Sequence, residues 1–134
     1  MPLPTESDRR VAKGQYGTVE FAVMHADRMS EAWHWKEKLP EKKWLSFKVL
    51  FQRLLDKGEI HNVEQFKYLT NEICEFKRGG VRLLCYRDGI RFFLTNTLKK
   101  SGRKNIEKDI ERSKTIGEGH LAWEKSQKKK LREQ

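Results

Sequence analysis

Nine of the chain's 29 lysines and arginines fall between Lys77 and Lys104, a stretch whose single acid is Asp88. Elsewhere the charges nearly balance: residues 1–76 carry 12 basic and 12 acidic side chains, and residues 105–134 carry eight and six. Nine minus one leaves +8 of the formal +10 in this one block. Cations gathered in one part of a domain are the footprint of a polyanionic partner, because neutralising phosphates releases counterions and dominates affinity. The plainer use of such charge is to keep a protein in solution. Thiol and metal chemistry find less to build on. Cys74 and Cys85 each sit in an apolar, strand-like run and read as two small hydrophobes rather than a disulfide pair. His25, His34, His61 and His120 are scattered, and with neither CxxC nor HxxxH spacing no metal site and no cofactor are expected.

The elements that must position the basic block are legible from periodicity. Val19, Phe21 and Val23 alternate with their neighbours as a half-buried strand does. Ser30 is a candidate N-cap for a short helix that Pro40 ends. Trp44, Phe47, Val49, Leu50, Phe51, Leu54 and Leu55 then recur at helical spacing up to Gly58, a C-terminal cap. Four strand-like runs follow, at residues 65–69, 72–77, 81–87 and 90–97, separated by Thr70-Asn71, Arg78-Gly79-Gly80 and Asp88-Gly89. Connections this short permit only an antiparallel meander. A last helix starts near Arg103 with Ile106 and Ile110 on one face, and Gly117 and Gly119 are expected to interrupt it.

One domain of ordinary size is expected, at residues 16–116, between a flexible N-terminal arm (1–15) and a C-terminal helix or tail (117–134), whose Lys128–Lys130 run is given no function. No run approaches the ~18 apolar residues of a membrane span, and residues 1–13 lack an apolar segment behind a basic start, so a soluble cytoplasmic protein with no membrane partner is expected.

The segment EFKRGGVRLLCY, residues 75–86, resembles the "E-L-R, short Gly turn, Y-R-hydrophobic-hydrophobic-Y" stretch of the RelE/ParE toxin superfamily. IRFFLTNTLKK, residues 90–100, resembles its next element, a strand ending in a Lys-Lys pair. The likeness spans roughly residues 18–112 and is greatest to the HigB-like, phage-derived branch often called Gp49-like. It implies an α+β, RelE-like fold, β-α-α-β-β-β-β-α, with a mainly antiparallel sheet packed against an N-terminal helical hairpin.

The resemblance further implies the toxin of a type II toxin–antitoxin system. Such a protein is an mRNA interferase that binds mRNA on the 70S ribosome and cuts it, without metal, by attack of the ribose 2′-hydroxyl. A helix-turn-helix, HigA-like antitoxin would be its partner. Arg82 matches the family's arginine after the turn, and its fork suits a phosphate. Lys99 and Lys100 match the terminal basic pair, Lys77 is a candidate for an RNA contact or a bridge to Glu75, and Arg78, Arg91, Arg103 and Lys104 are further candidate RNA contacts. Strand parity sets Arg82, Leu84 and Tyr86 on one face, where Tyr86 is either a base-stacking platform or, as aromatic strand residues usually are, core. RelE's lysines near the positions of Ile73 and Glu75 and its C-terminal tyrosine have no counterpart here, so its acid and base do not carry over; Glu75 and His120 are the alternatives for proton transfer. The same superfamily also contains ParE-like gyrase inhibitors, and phage-derived nucleic-acid-binding members without toxicity are the third reading.

Overall fold

The computed structural model describes residues 5–24, 28–98 and 103–133, with the side chains of Arg103 and Lys104 outside the description. In chain order the elements are α1 (Glu6–Arg9), β1 (Arg10–Gly14), β2 (Gly17–Phe21), β3 (Val23–Met24), β4 (Arg28–Met29), α2 (Glu31–Glu37), α3 (Glu41–Lys57), β5 (Phe66–Tyr68), β6 (Ile73–Arg78), β7 (Val81–Asp88), β8 (Arg91–Thr97) and α4 (Arg103–Arg132). The fold is α+β. Six strands form one sheet in the order β1-β2-β8-β7-β6-β5, antiparallel except where β2 runs parallel to β8. β3 and β4 pair separately.

Helices α2 and α3 cover one face of the sheet. Pro40 is the N-cap of α3, and Gly58 closes it with φ 83°, its N–H donating to Leu54 O at 2.7 Å. Trp44, Phe47, Leu50, Phe51, Leu54 and Leu55 are buried, whereas Val49, on the same apolar pattern, is 52% exposed. They meet Val19, Phe21, Phe76, Leu83, Phe92 and Leu94 from the strands, and Phe51 sits edge-on to Phe76 at 4.8 Å. Burying side chains of this size contributes roughly 1.5–3 kcal/mol each. Ser30 stands at the start of α2 as its spacing suggests, but its hydroxyl donates to Leu94 O at 2.9 Å and ties the helix to the sheet.

Three sequence expectations are corrected. Cys74 and Cys85 are register partners across β6 and β7 with Cα atoms 5.4 Å apart, and their sulfurs are joined as a disulfide; a pairing register was needed to see that the two runs set them opposite each other. Residues 1–15 are not structureless throughout. Thr5 and Asp8 cap α1 reciprocally, and β1 pairs with β2 although RVAKG lacks an alternating pattern, as a half-exposed edge strand can. Finally, α4 runs unbroken through Gly117 and Gly119, so the proposed boundary at 116/117 falls inside a single helix. Gly117 is there because a Cβ would lie 2.1 Å from Tyr86 Cγ: the missing side chain lets the helix close on the ring.

Helix α4 lies along β8 on the sheet's other face. Asp109 O accepts from Asn96 Nδ2 at 3.1 Å, and the hydroxyls of Ser113 and Thr95 meet at 2.6 Å. Further along, Ile116 packs with Tyr86 and Phe93, and His120 with Phe93. These contacts recur at one helix face while the β8 partners descend from 96 to 91, so helix and strand run in opposite directions.

Candidate nucleic-acid interface

The register of the last four strands decides which side chains share a face. Ile73 opposes Tyr86, Glu75 opposes Leu84, Lys77 opposes Arg82, and on the outer side Lys67 opposes Glu75. Ile73 and Tyr86 belong to the apolar cluster under α4, so Lys67, Glu75, Lys77 and Arg82 lie on that face too. Three cations on three neighbouring strands thus surround one carboxyl group. Lys67 is exposed, and Lys77 and Arg82 keep 21% and 32% of their side-chain surface. Glu75 is 1% exposed; its nearest cation is Arg82 Nη1 at 4.0 Å, and neither oxygen takes a hydrogen bond among the described residues. Lys77 reaches the exposed Glu64 at 3.6 Å, a surface pair that contributes little to stability.

The other expected contacts divide. Lys99 and Lys100 lie outside the described residues, but Leu98, immediately before them, donates to Arg82 O at 2.9 Å and brings the chain to Arg82's side. Arg103 and Lys104 open α4, their side chains outside the description. Arg78 points to the opposite face, where its Nε donates to Ser46 O at 3.1 Å, because parity alternates along β6. Tyr86 is 8% exposed and packed on Gly117, a core residue in this arrangement. Arg91 is held between two carboxylates, its Nη1 2.8 Å from Glu124 Oε1 and its Nη2 2.5 Å from Glu124 Oε2 and 3.2 Å from Glu20 Oε1.

That second group was not expected. Glu20 from β2, Arg91 from β8, and His120 and Glu124 one turn apart on α4 converge, with Arg9 3.7 Å from Glu20 and stacked over Trp123. Burial raises the Glu124 carboxyl, but the bonds from His120 and Arg91 outweigh it and hold it at about 2. The Glu20 carboxyl is lowered in the same way, burial being outweighed by His120 and Arg91, and Arg91 is stabilised as a cation chiefly by Glu124. For His120, burial opposes charging and the Glu124 and Glu20 carboxylates outweigh it, so its proton affinity is raised. The i,i+4 pair His120 and Glu124 was the available signal, hidden by placing a helix break at Gly117.

Glu20, His120 and Glu124 also form a three-donor set with ligand atoms within 4.8 Å of one another. The details fit a cation poorly. His120 Nδ1 accepts the Val23 N–H at 2.9 Å, which places the neutral ring's proton on Nε2, the atom that would have to ligate. Arg91 already occupies the space between the carboxylates, and with Arg9 the charges sum to zero without a metal.

No family model matches the chain, and no curated protein or solved structure is significantly similar to it.

Proposed function

We propose that this chain is the toxin of a type II toxin–antitoxin pair, a HigB-like member of the RelE/ParE superfamily that cuts mRNA on the 70S ribosome. The observation that carries the reading is the cross-strand pair Lys77 and Arg82 beside buried Glu75, at the point where the chain leads into Lys99 and Lys100. From β2 onward, setting aside the separate β3–β4 pair, the order of strand, two helices, four antiparallel strands and helix supports the same assignment, to which this chain adds α1 and the edge strand β1.

In the proposed reaction the ribose 2′-oxygen attacks the adjacent phosphorus, the P–O5′ bond breaks, and a 2′,3′-cyclic phosphate and a free 5′-hydroxyl result. The Arg82 guanidinium offers a fork to the phosphate oxygens as charge builds. The 2′ proton is assigned to Glu75, which is 1% exposed and so must be uncovered when RNA binds, and the departing O5′ takes a proton from water; Lys77 and the Lys99–Lys100 pair would supply further positive charge to the phosphorane. An antitoxin of HigA-like type would silence the protein by covering this basic face, for which an acidic segment is suited.

Induction in a bacterium is the test. Arrest of protein synthesis with mRNA broken at codon boundaries is expected, and Arg82→Ala should lower cutting by at least ~100-fold. Replication arrest with mRNA intact would assign the protein to the gyrase-inhibiting class, and unaffected growth to non-toxic nucleic-acid binders.

A further inference from the structure

Residues 125–132 read KSQKKKLR: five cations and no acid in about two turns of α4. Lys125, Lys129 and Arg132 stand at i, i+4 and i+7 and share one face, directed away from the cleft that Glu124, Gln127, Lys128 and Leu131 form with α1. All five are exposed, and among the described residues none forms an ion pair. Like charges three and four residues apart weaken a helix by a few tenths of a kcal/mol per pair, and the C-terminal dipole offsets this only in the last turn. The stripe therefore has charge left to neutralise.

We infer that this end of α4 is a second RNA-binding surface, in which Lys125, Lys129 and Arg132, flanked by Lys128 and Lys130, engage a phosphate backbone without reading sequence. It deepens the RNA-binding reading above and rests on it. The chemistry favours nucleic acid over the other acidic surfaces. A membrane-lying helix needs a continuous apolar face beside its cations, but here the stripe's apolar neighbours are Ala122 and one exposed leucine, Leu131, and Trp123 is covered by Arg9. Lysine-rich faces without an aromatic anchor are poor protein interfaces, since lysine is depleted and aromatics are enriched there. Because α4 runs from Asn96 past Arg91, the stripe lies at the far end of the sheet from Arg82. Twenty residues separate Asp109 from Lys129, about 30 Å at 1.5 Å per residue. One RNA touching both patches would gain affinity by bivalency.

The test is salt-dependent binding of a labelled single-stranded RNA of ~20 nucleotides to the full chain, read by anisotropy from about 50 to 300 mM KCl. Lys125→Gln/Lys129→Gln/Arg132→Gln should reduce the slope of log affinity against log salt by about 2, at ~0.7 per lost contact, with affinity down roughly tenfold. Lys125→Arg/Lys129→Arg should keep the wild-type slope. Removing equal charge from the helical layer across the sheet, with Lys38→Gln/Lys42→Gln/Lys57→Gln, should change it little. Circular dichroism checks that each variant is folded, since glutamine and lysine have similar helix propensity. An unchanged slope in the stripe variant overturns the proposal, as does an equal loss in the control or a loss confined to phosphatidylserine vesicles. If induction of the parent protein leaves mRNA uncut while the stripe variant loses slope, the nuclease assignment fails and this surface stands.

Discussion

Arg82 and Arg91 are both strand arginines under the same helix, yet their surroundings differ in kind. Arg91 has two carboxylates within 3.2 Å and Arg9 completing the balance, so its charge is spent inside the protein. Arg82 has one acid at 4.0 Å and Lys77 directly opposite, so positive charge is in surplus. The same residue type is a brace in one place and a candidate ligand-binding group in the other, and the count of nearby acids decides between them.

The contrast is broken most directly by substituting each arginine in turn. Arg82→Ala should remove activity at a smaller stability cost than Arg91→Ala, since its one ion pair is long and it is itself part-exposed, although the substitution takes from buried Glu75 its nearest cation. Arg91→Ala should do the reverse, costing about 2–3 kcal/mol in denaturant unfolding by stranding Glu20 and Glu124; a third of its surface is exposed, which keeps the loss below that of a fully buried pair. If both variants lost only stability, the distinction would be wrong. Next in size, Gly117→Ala should cost about 1–3 kcal/mol by forcing Tyr86 from its seat, seen as a lower midpoint, whereas Gly119→Ala meets nothing within 4 Å and should be neutral or slightly stabilising.

Those two glycines also show what the sequence could convey. Both look like helix breakers, and only coordinates reveal that one of them answers a ring from β7 while the helix passes through. Local signals were otherwise dependable: Pro40, Gly58 and the Asp88-Gly89 turn mark element ends close to where they occur. Parity along β6 and β7 correctly joined Arg82 and Tyr86, and it also separates Arg78 from them once the register is fixed. The buried charge cluster was out of reach because it draws on β2, β8 and α4, and no local period connects Glu20 to residues 71 and more positions away. The parallel β2–β8 pairing and the β1 hairpin are likewise long-range or edge features with no alternation to announce them.

A smaller effect sharpens the brace. Glu124 is held at about 2 against an ordinary 4.5, so its carboxylate binds protons more weakly folded than unfolded. A depressed folded value contributes stability that is present above the unfolded pKa and lost as pH falls through the folded one. The stability gap between the parent and Glu124→Gln should stay level from neutral pH to about 5 and close between about 4.5 and 2. A gap that instead closed between pH 6 and 8 would assign the linkage to His120.

The smallest expected response is none at all, and it separates a salt-bridged brace from a metal centre. With Val23 N–H donating to Nδ1, His120 must keep its proton on Nε2 while neutral, and ligation through Nε2 would require a proton to leave and Arg91 to withdraw. Excess zinc at neutral pH should therefore leave the melting temperature unchanged, because a ligand stabilises only in proportion to its preference for the folded state. Imidazole 15N shifts should report the Nε2–H tautomer with and without the ion. A zinc-dependent rise in melting temperature, together with loss of the Nε2 proton signal, would show that the cation displaces Arg91 and that Glu20, His120 and Glu124 are ligands after all.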